Sequence, residues 1–154
     1  MGIADRDFLL RMIQRIAEML GAIRRKRGEG KTDEALALLE RARADLFGGM
    51  RSALDAVDPG SVNRLVAETE KVRAYATFFA VEADLRDDRG EANAAAAARR
   101  RALSVLLEVA STRRGDLRDE DRDAIAALAA KVPALRLSER QREVLAALQG
   151  GGVR

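Results

Sequence analysis

The sequence predicts an all-α fold, in which two long antiparallel helical hairpins are followed by shorter helices that close one end. Three observations carry this expectation. Apolar residues recur at three- and four-residue spacing along each long stretch. The stretch from Val62 to Arg86 contains neither Gly nor Pro and carries two separate apolar lines, so it asks for neighbours on two sides. Breaker clusters (RGEGK, FGGM, DPGS, DDRGE, RRGD) punctuate the chain between the stretches.

Taken in order, the first helix is expected from about Asp5, as N-cap, to Arg27. Its apolar residues Phe8, Leu9, Met12, Ile13, Ile16, Met19, Leu20 and Ile23 cover an arc of roughly 140°, wider than the stripe of about 100° that a core-facing helix needs. The surplus is compatible with deep burial in the monomer, with pairing to another copy or a partner, or, given Arg11, Arg15 and Arg24 to Arg27, with a membrane surface. Thr32 is expected to cap a second helix whose core side is Ala35, Leu38, Leu39, Ala42 and Leu46, with Asp33 and Glu34 in its first turn. Gly48 and Gly49 end it. A short amphipathic piece (Met50, Leu54, Val57) leads to Asp58, Pro59 and Ser61, where an N-cap with Pro at the first helical position starts the central helix.

That central helix is expected to continue unbroken to Arg86. One apolar line is Leu65, Thr69, Val72, Ala76, Phe79 and Ala83; the other is Phe78, Val81 and Leu85. It holds three of the five aromatic residues in the chain. After DDRGE the fourth helix returns along it, and Ala94 to Ala98 read as close helix packing. A weaker acidic helix follows from about Arg118 to Lys131, with Ile125, Leu128, Ala129 and Val132 on its apolar side, ended by Pro133. Ser138 caps a last helix. The expected organisation is one helical domain over residues 1–149, with hairpins at about 5–47 and 59–114 and C-terminal helices at about 118–149, and a flexible tail over 150–154.

Composition narrows the chemistry. A chain of 154 residues can bury roughly 70% of the surface its unfolded form exposes, enough for one core. Basic and acidic residues nearly balance, 28 against 25, so the charge is spread over a mixed surface. Cys and His are absent, which removes disulfides, thiolate nucleophiles, imidazole acid–base catalysis and most zinc and haem ligation. No cofactor, no metal site and no enzyme activity are expected. No apolar run approaches the length of about 18 residues that marks a membrane span, and Asp5, Arg6 and Asp7 precede the first apolar stretch, so a cytoplasmic location is expected.

The two hairpins share a spacing. Gly30 is followed by Ala35 and Ala42, and Gly90 by Ala95, Ala102 and Leu103, at matching offsets. The stretch DDRGEANAAAAARRRAL resembles the second half of a tetratricopeptide repeat, which implies small residues nesting one helix on its neighbour. DFLLRMI (Asp7 to Ile13) followed by EALALLE (Glu34 to Glu40) and a repeat-like hairpin also resembles a family of small bacterial helical proteins of uncharacterised function, over about residues 5 to 110. That likeness implies an all-helical, repeat-like fold and names no activity.

Other motifs are weaker. GEGKT at Gly28 to Thr32 resembles the end of a phosphate-binding loop, but Arg25 stands where that motif needs its first glycine, and a helix precedes it in place of a strand. LSERQREVLAAL resembles the opening helix of a helix-turn-helix region, with no recognition helix after it. Glu68, Glu70, Glu82 and Asp84 form a solvated charged face. The expected function is therefore non-enzymatic protein interaction or scaffolding, with a homodimer or a protein partner bound through Phe8, Met12, Met19, Tyr75, Phe78, Val81 and Leu85. The alternative is association with nucleic acid through anion contacts at Arg24, Arg25, Lys26, Arg27, Arg99, Arg100 and Arg101. Arg99 is expected to lie on the core side of its helix and to pair with an acid at the core edge such as Glu82.

Overall fold

The computed structural model describes residues 2–151. Among them lie eight α-helices and no strand: α1 (Ile3–Gly28), α2 (Thr32–Phe47), α3 (Arg51–Ala56), α4 (Pro59–Leu65), α5 (Thr69–Asp88), α6 (Ala92–Thr112), α7 (Asp119–Ala129) and α8 (Glu139–Gly151). Single 3₁₀ turns at Gly48–Met50, Arg114–Asp116 and Ala134–Arg136 join some of them.

Two glycines set the α1/α2 and α5/α6 turns in the same way. Gly30 (φ 75°) and Gly90 (φ 77°) are left-handed, a conformation that an L side chain resists. At the first turn the Gly30 N–H donates to Arg27 O (3.0 Å) and the Lys31 N–H to Lys26 O (2.9 Å); at the second, Gly90 donates to Asp87 O (2.9 Å) and Glu91 to Arg86 O (2.8 Å). Both are Schellman turns, which satisfy the carbonyls a helix end leaves free. The small residues at matching offsets are buried in both hairpins: Ala35 and Ala95 are fully enclosed, as is Ala102, and Ala42 nearly so. Other caps follow their local sequence. Asp58 Oδ1 accepts the Ser61 N–H (2.8 Å) with Pro59 at the first helical position. Ser138 Oγ accepts the Gln141 N–H while Gln141 Oε1 accepts the Ser138 N–H, a reciprocal capping box.

The core forms around α5, which packs on α6, α2 and α1. Phe78 is wholly buried, which contributes about 2 kcal/mol relative to exposure. Phe47 meets Tyr75 and Phe78 edge-on, with centroids 5.7 and 6.5 Å away.

The expected unbroken helix from Val62 to Arg86 is interrupted: Val66 and Glu68 are extended (ψ 117° and 125°). A long-range contact spans the break. Arg113, just past the end of α6, donates from Nη2 to the carbonyls of Asn63 and Val66 (2.6 Å each), and from Nη1 to Ala67 O (3.1 Å) and Thr69 Oγ1 (2.9 Å). One guanidinium thus takes up carbonyls that a continuous helix would have bonded internally. Leu65, placed by spacing on an apolar line, is consequently 53% exposed. Smaller differences concern ends: α1 begins at Ile3, so Asp5 lies in its first turn. Thr32 is the first residue of α2, with Lys31 at the N-cap. Gly150 and Gly151 continue α8, and the rest of the expected tail, 152–154, lies outside the described residues.

Candidate binding groove

Helices α1, α5 and α7 run in the same direction. At one end, Asp5 and Phe8 of α1 line a cleft of about 670 Å³ with Thr69 and Arg73 of α5 and with Leu117 and Arg118 at the entry to α7. At the other end, Ile23, Arg24 and Arg27 of α1 line a hollow of about 330 Å³ with Ala80, Val81 and Asp84 of α5, and with Leu128 and Lys131 of the α7 segment. The two hollows take successive stretches of α5, residues 68–73 and 76–84.

Helix-end charges explain what collects at each end. Asp5, Glu70, and Asp119 with Glu120 and Asp121 sit in the first turns of α1, α5 and α7, whereas Arg25, Lys26 and Arg27 sit in the last turn of α1. Acids at N-termini and cations at C-termini are the arrangement the helix dipole favours. The first turns of all three helices carry acids, whereas at the other end only α1 is rich in cations: α5 ends in Asp87 and Asp88 and α7 has no basic residue in its last turn, so the basic character of that end rests on α1 together with Arg99 and Lys131.

Many of these charges are consumed internally. At the acidic end Arg73 grips both oxygens of Asp121 (2.7 and 2.8 Å) and also reaches Glu70 Oε1 and Asp116 O. Burial pushes the Asp121 carboxyl up, but the Arg73 hydrogen bonds, the Arg118 backbone N–H and the two positive charges together hold it below the usual carboxylate range. Asp5, Glu68 and Asp116 take part in no ion pair among the described residues. At the basic end Arg27 forks onto Asp88 (2.7 and 3.3 Å), and this hydrogen bond, ahead of the effect of burial, keeps the Asp88 carboxyl low. Arg24 and Lys131 have no acidic partner among the described residues. In an adjoining hollow Lys131 is joined by Arg100 and Arg136, likewise without ion pairs.

The expected anion contacts divide accordingly. Arg24, Arg27 and Arg99 converge on the basic hollow; Arg25 is exposed to one side, and Lys26 stands 3.9 Å from Glu34. Arg99 does lie on the core side, 7% exposed, but its partners are Asp87 (2.6 Å) and Asp84 (3.6 Å). Glu82 is engaged by Arg43 and Arg86. Arg101 turns the other way, bonding Leu54 O (2.7 Å) and Tyr75 OH (3.0 Å).

Of the expected interaction residues, Met12, Tyr75, Phe78, Val81 and Leu85 are buried within the monomer, so they present no free surface; Met19 is half-buried. Tyr75, between the two apolar lines of α5, is filled in by Phe47, Phe79 and Arg101. Phe8 is 55% exposed, and Ile3 and Leu10 join it as large exposed apolar residues of α1.

Three charged residues on apolar helix faces carry no motif that marks them in the sequence. Arg43 is 5% exposed, paired with Glu82 (2.7 Å) and Glu40 (3.0 Å), with its guanidinium carbon 4.5 Å from the Phe79 centroid. Its signal was position, since Leu39, Arg43 and Leu46 share one helical face. Asp121 stands in the same relation to Ile125 and Leu128, and Lys131 to Ala124, Ala127 and Leu128. Among the described residues no group of three or more acids assembles to hold a metal ion, and no helix is long and apolar enough to cross a membrane. Comparison with protein-family models, with curated proteins and with solved structures returned no match.

Proposed function

We propose that this chain is a non-enzymatic helical interaction module of tetratricopeptide-like build, which self-associates and receives protein segments along the groove between α1, α5 and α7. The observation that carries the reading is that groove: three parallel helices around an apolar floor, with leftover acid at one end and leftover base at the other. The repeat-like build is supported by the matching turns at Gly30 and Gly90. It is also supported by the packing order, in which α2 lies on α5 as well as on α1, and α6 on α7 as well as on α5.

The test is affinity capture from an extract of the source organism, with nuclease present, using the wild-type chain and the Arg24→Glu/Lys131→Glu variant as parallel baits. Proteins retained by the wild type and lost from the variant support a protein-binding groove. The strip formed by Arg24, Lys131, Arg100 and Arg136 favours a second reading, nucleic-acid association. Under that reading the retained material disappears with nuclease, and binding falls steeply between low and physiological salt.

A further inference from the structure

A groove whose unpaired charges have opposite sign at its two ends is complementary to itself. Rotation by 180° about an axis perpendicular to the helices sets the end bearing Asp5 and Glu68 against the end bearing Arg24 and Lys131, and repeats the match on the other side. This is the requirement of an isologous two-fold interface. From Glu68 to Asp84 the two ends stand about 24 Å apart along α5, well beyond a Debye length at physiological salt, so each end answers only the charge directly opposite it.

Shape agrees with charge. Phe8, a large ring 55% exposed at the acidic end, stands opposite a hollow floored by Ala76, Ala80, Ala124 and Ala127 at the basic end. An aromatic knob entering a hollow of small residues is the usual form of an interface anchor. We infer that the occupant of the groove is a second copy of this chain, docked antiparallel so that Phe8 of each copy enters the basic hollow of the other. This rests on the reading of the groove as a protein-binding site. A face about 25 Å by 30 Å buries on the order of 700 Å² per copy, near the low end of the standard size for specific interfaces.

The experiment is sedimentation velocity on the nuclease-treated full chain from about 1 to 100 μM, with circular dichroism and melting as fold controls. The wild type dimerises, and Phe8→Ser lowers the dimer affinity at least tenfold. Arg24→Glu/Lys131→Glu, which makes both ends acidic, and Asp5→Lys/Glu68→Lys, which makes both ends basic, are each monomeric. Mixed in equal amounts the two variants form a heterodimer, because every contact between them is again of opposite sign. A monomeric wild type at the highest concentration, a dimer indifferent to either charge reversal, or folded variants that fail to pair on mixing overturns the inference. If the wild type is monomeric while protein capture still depends on Arg24 and Lys131, the groove reading stands and only the identity of its occupant is wrong. If capture is independent of both residues, the groove reading falls as well.

Discussion

Arg113→Ala tests whether one long-range cation breaks the central helix. The guanidinium serves the carbonyls of Asn63, Val66 and Ala67 and the hydroxyl of Thr69. Asn63 and Val66 are 5% and 4% exposed, so water is poorly placed to take over their two carbonyls, whereas Ala67 is exposed and loses little. Leaving a buried acceptor without a partner costs about 1–3 kcal/mol. Two such acceptors, with modest relaxation, put the loss at about 2–4 kcal/mol. For a domain of this size each kcal/mol lowers the melting temperature by about 2–4 °C, so a drop of about 4–16 °C is expected. Thermal and urea unfolding read the loss, and amide exchange localises it, with faster exchange at Val66, Lys71 and Val72, whose N–H groups bond within this junction. Arg113→Lys, a compact cation without the planar fork, recovers only part. An Arg113→Ala protein that melts within 2 °C of the wild type, with unchanged exchange at these amides, would show that the break is written locally and that the arginine merely decorates it.

Arg43→Ala removes a buried cation from Glu82 and Glu40 and is expected to cost about 3 kcal/mol, since Glu82 keeps only Arg86 (3.3 Å) as its partner; urea midpoints check this, and Arg43→Met, which preserves the packing on Phe79, should lose clearly less. Stability should also depend on pH at both extremes. Asp121 has a depressed folded pKa, so its contribution is complete above the ordinary Asp value of about 4 and is lost as pH falls through the folded value, and Asp121→Asn should flatten the acid limb. Burial pushes the Tyr75 phenol up to about 12 against the opposing hydrogen bond and charge of Arg101; its contribution is complete below about pH 10, is lost as pH rises towards 12, and amounts to about 2–3 kcal/mol. Chemical denaturation of the wild type and Tyr75→Phe between pH 9 and 12 measures the difference.

What was legible in the chain is what local rules write. The Gly30 and Gly90 turns, the Asp58–Pro59 start and the Ser138 cap each depend on residues a few positions apart, and each stands where spacing put it. Glu70 and Glu82, expected on a solvated face, are instead mostly buried and held by Arg73 and by Arg43 with Arg86, because neighbouring helices cover that side of α5. The interruption at residues 66–68 follows no local rule either, because no Gly, Pro or β-turn sequence marks it; the side chain that takes up its carbonyls is Arg113, more than forty positions away. The second apolar face of α5 was visible, but not what would cover it. Phe78 and Leu85 looked like demand for a partner, and the demand is met within the monomer.

Charge needed the fold most. An arginine-rich composition carries little information by itself, and the structure divides the cations by the work they do. Arg43, Arg73, Arg99, Arg101 and Arg113 are buried or half-buried and reach between elements, and all but Arg99, which meets Asp87 and Asp84 through Nη2 alone, use more than one nitrogen of the guanidinium fork, a task a lysine ammonium performs poorly. These cations hold the hairpins together and are unavailable to a ligand. Subtracting them, with the exposed pairs such as Arg27 with Asp88, leaves few cations around the basic end: Arg24, Arg25, Arg100, Lys131 and Arg136. The same subtraction at the other end leaves Asp5, Glu68 and Asp116 lining the cleft, with Asp119 and Glu120 beside it in the first turn of α7. Any partner that this face recognises electrostatically must answer those residues, since the remaining charges in the groove are already answered by the chain itself.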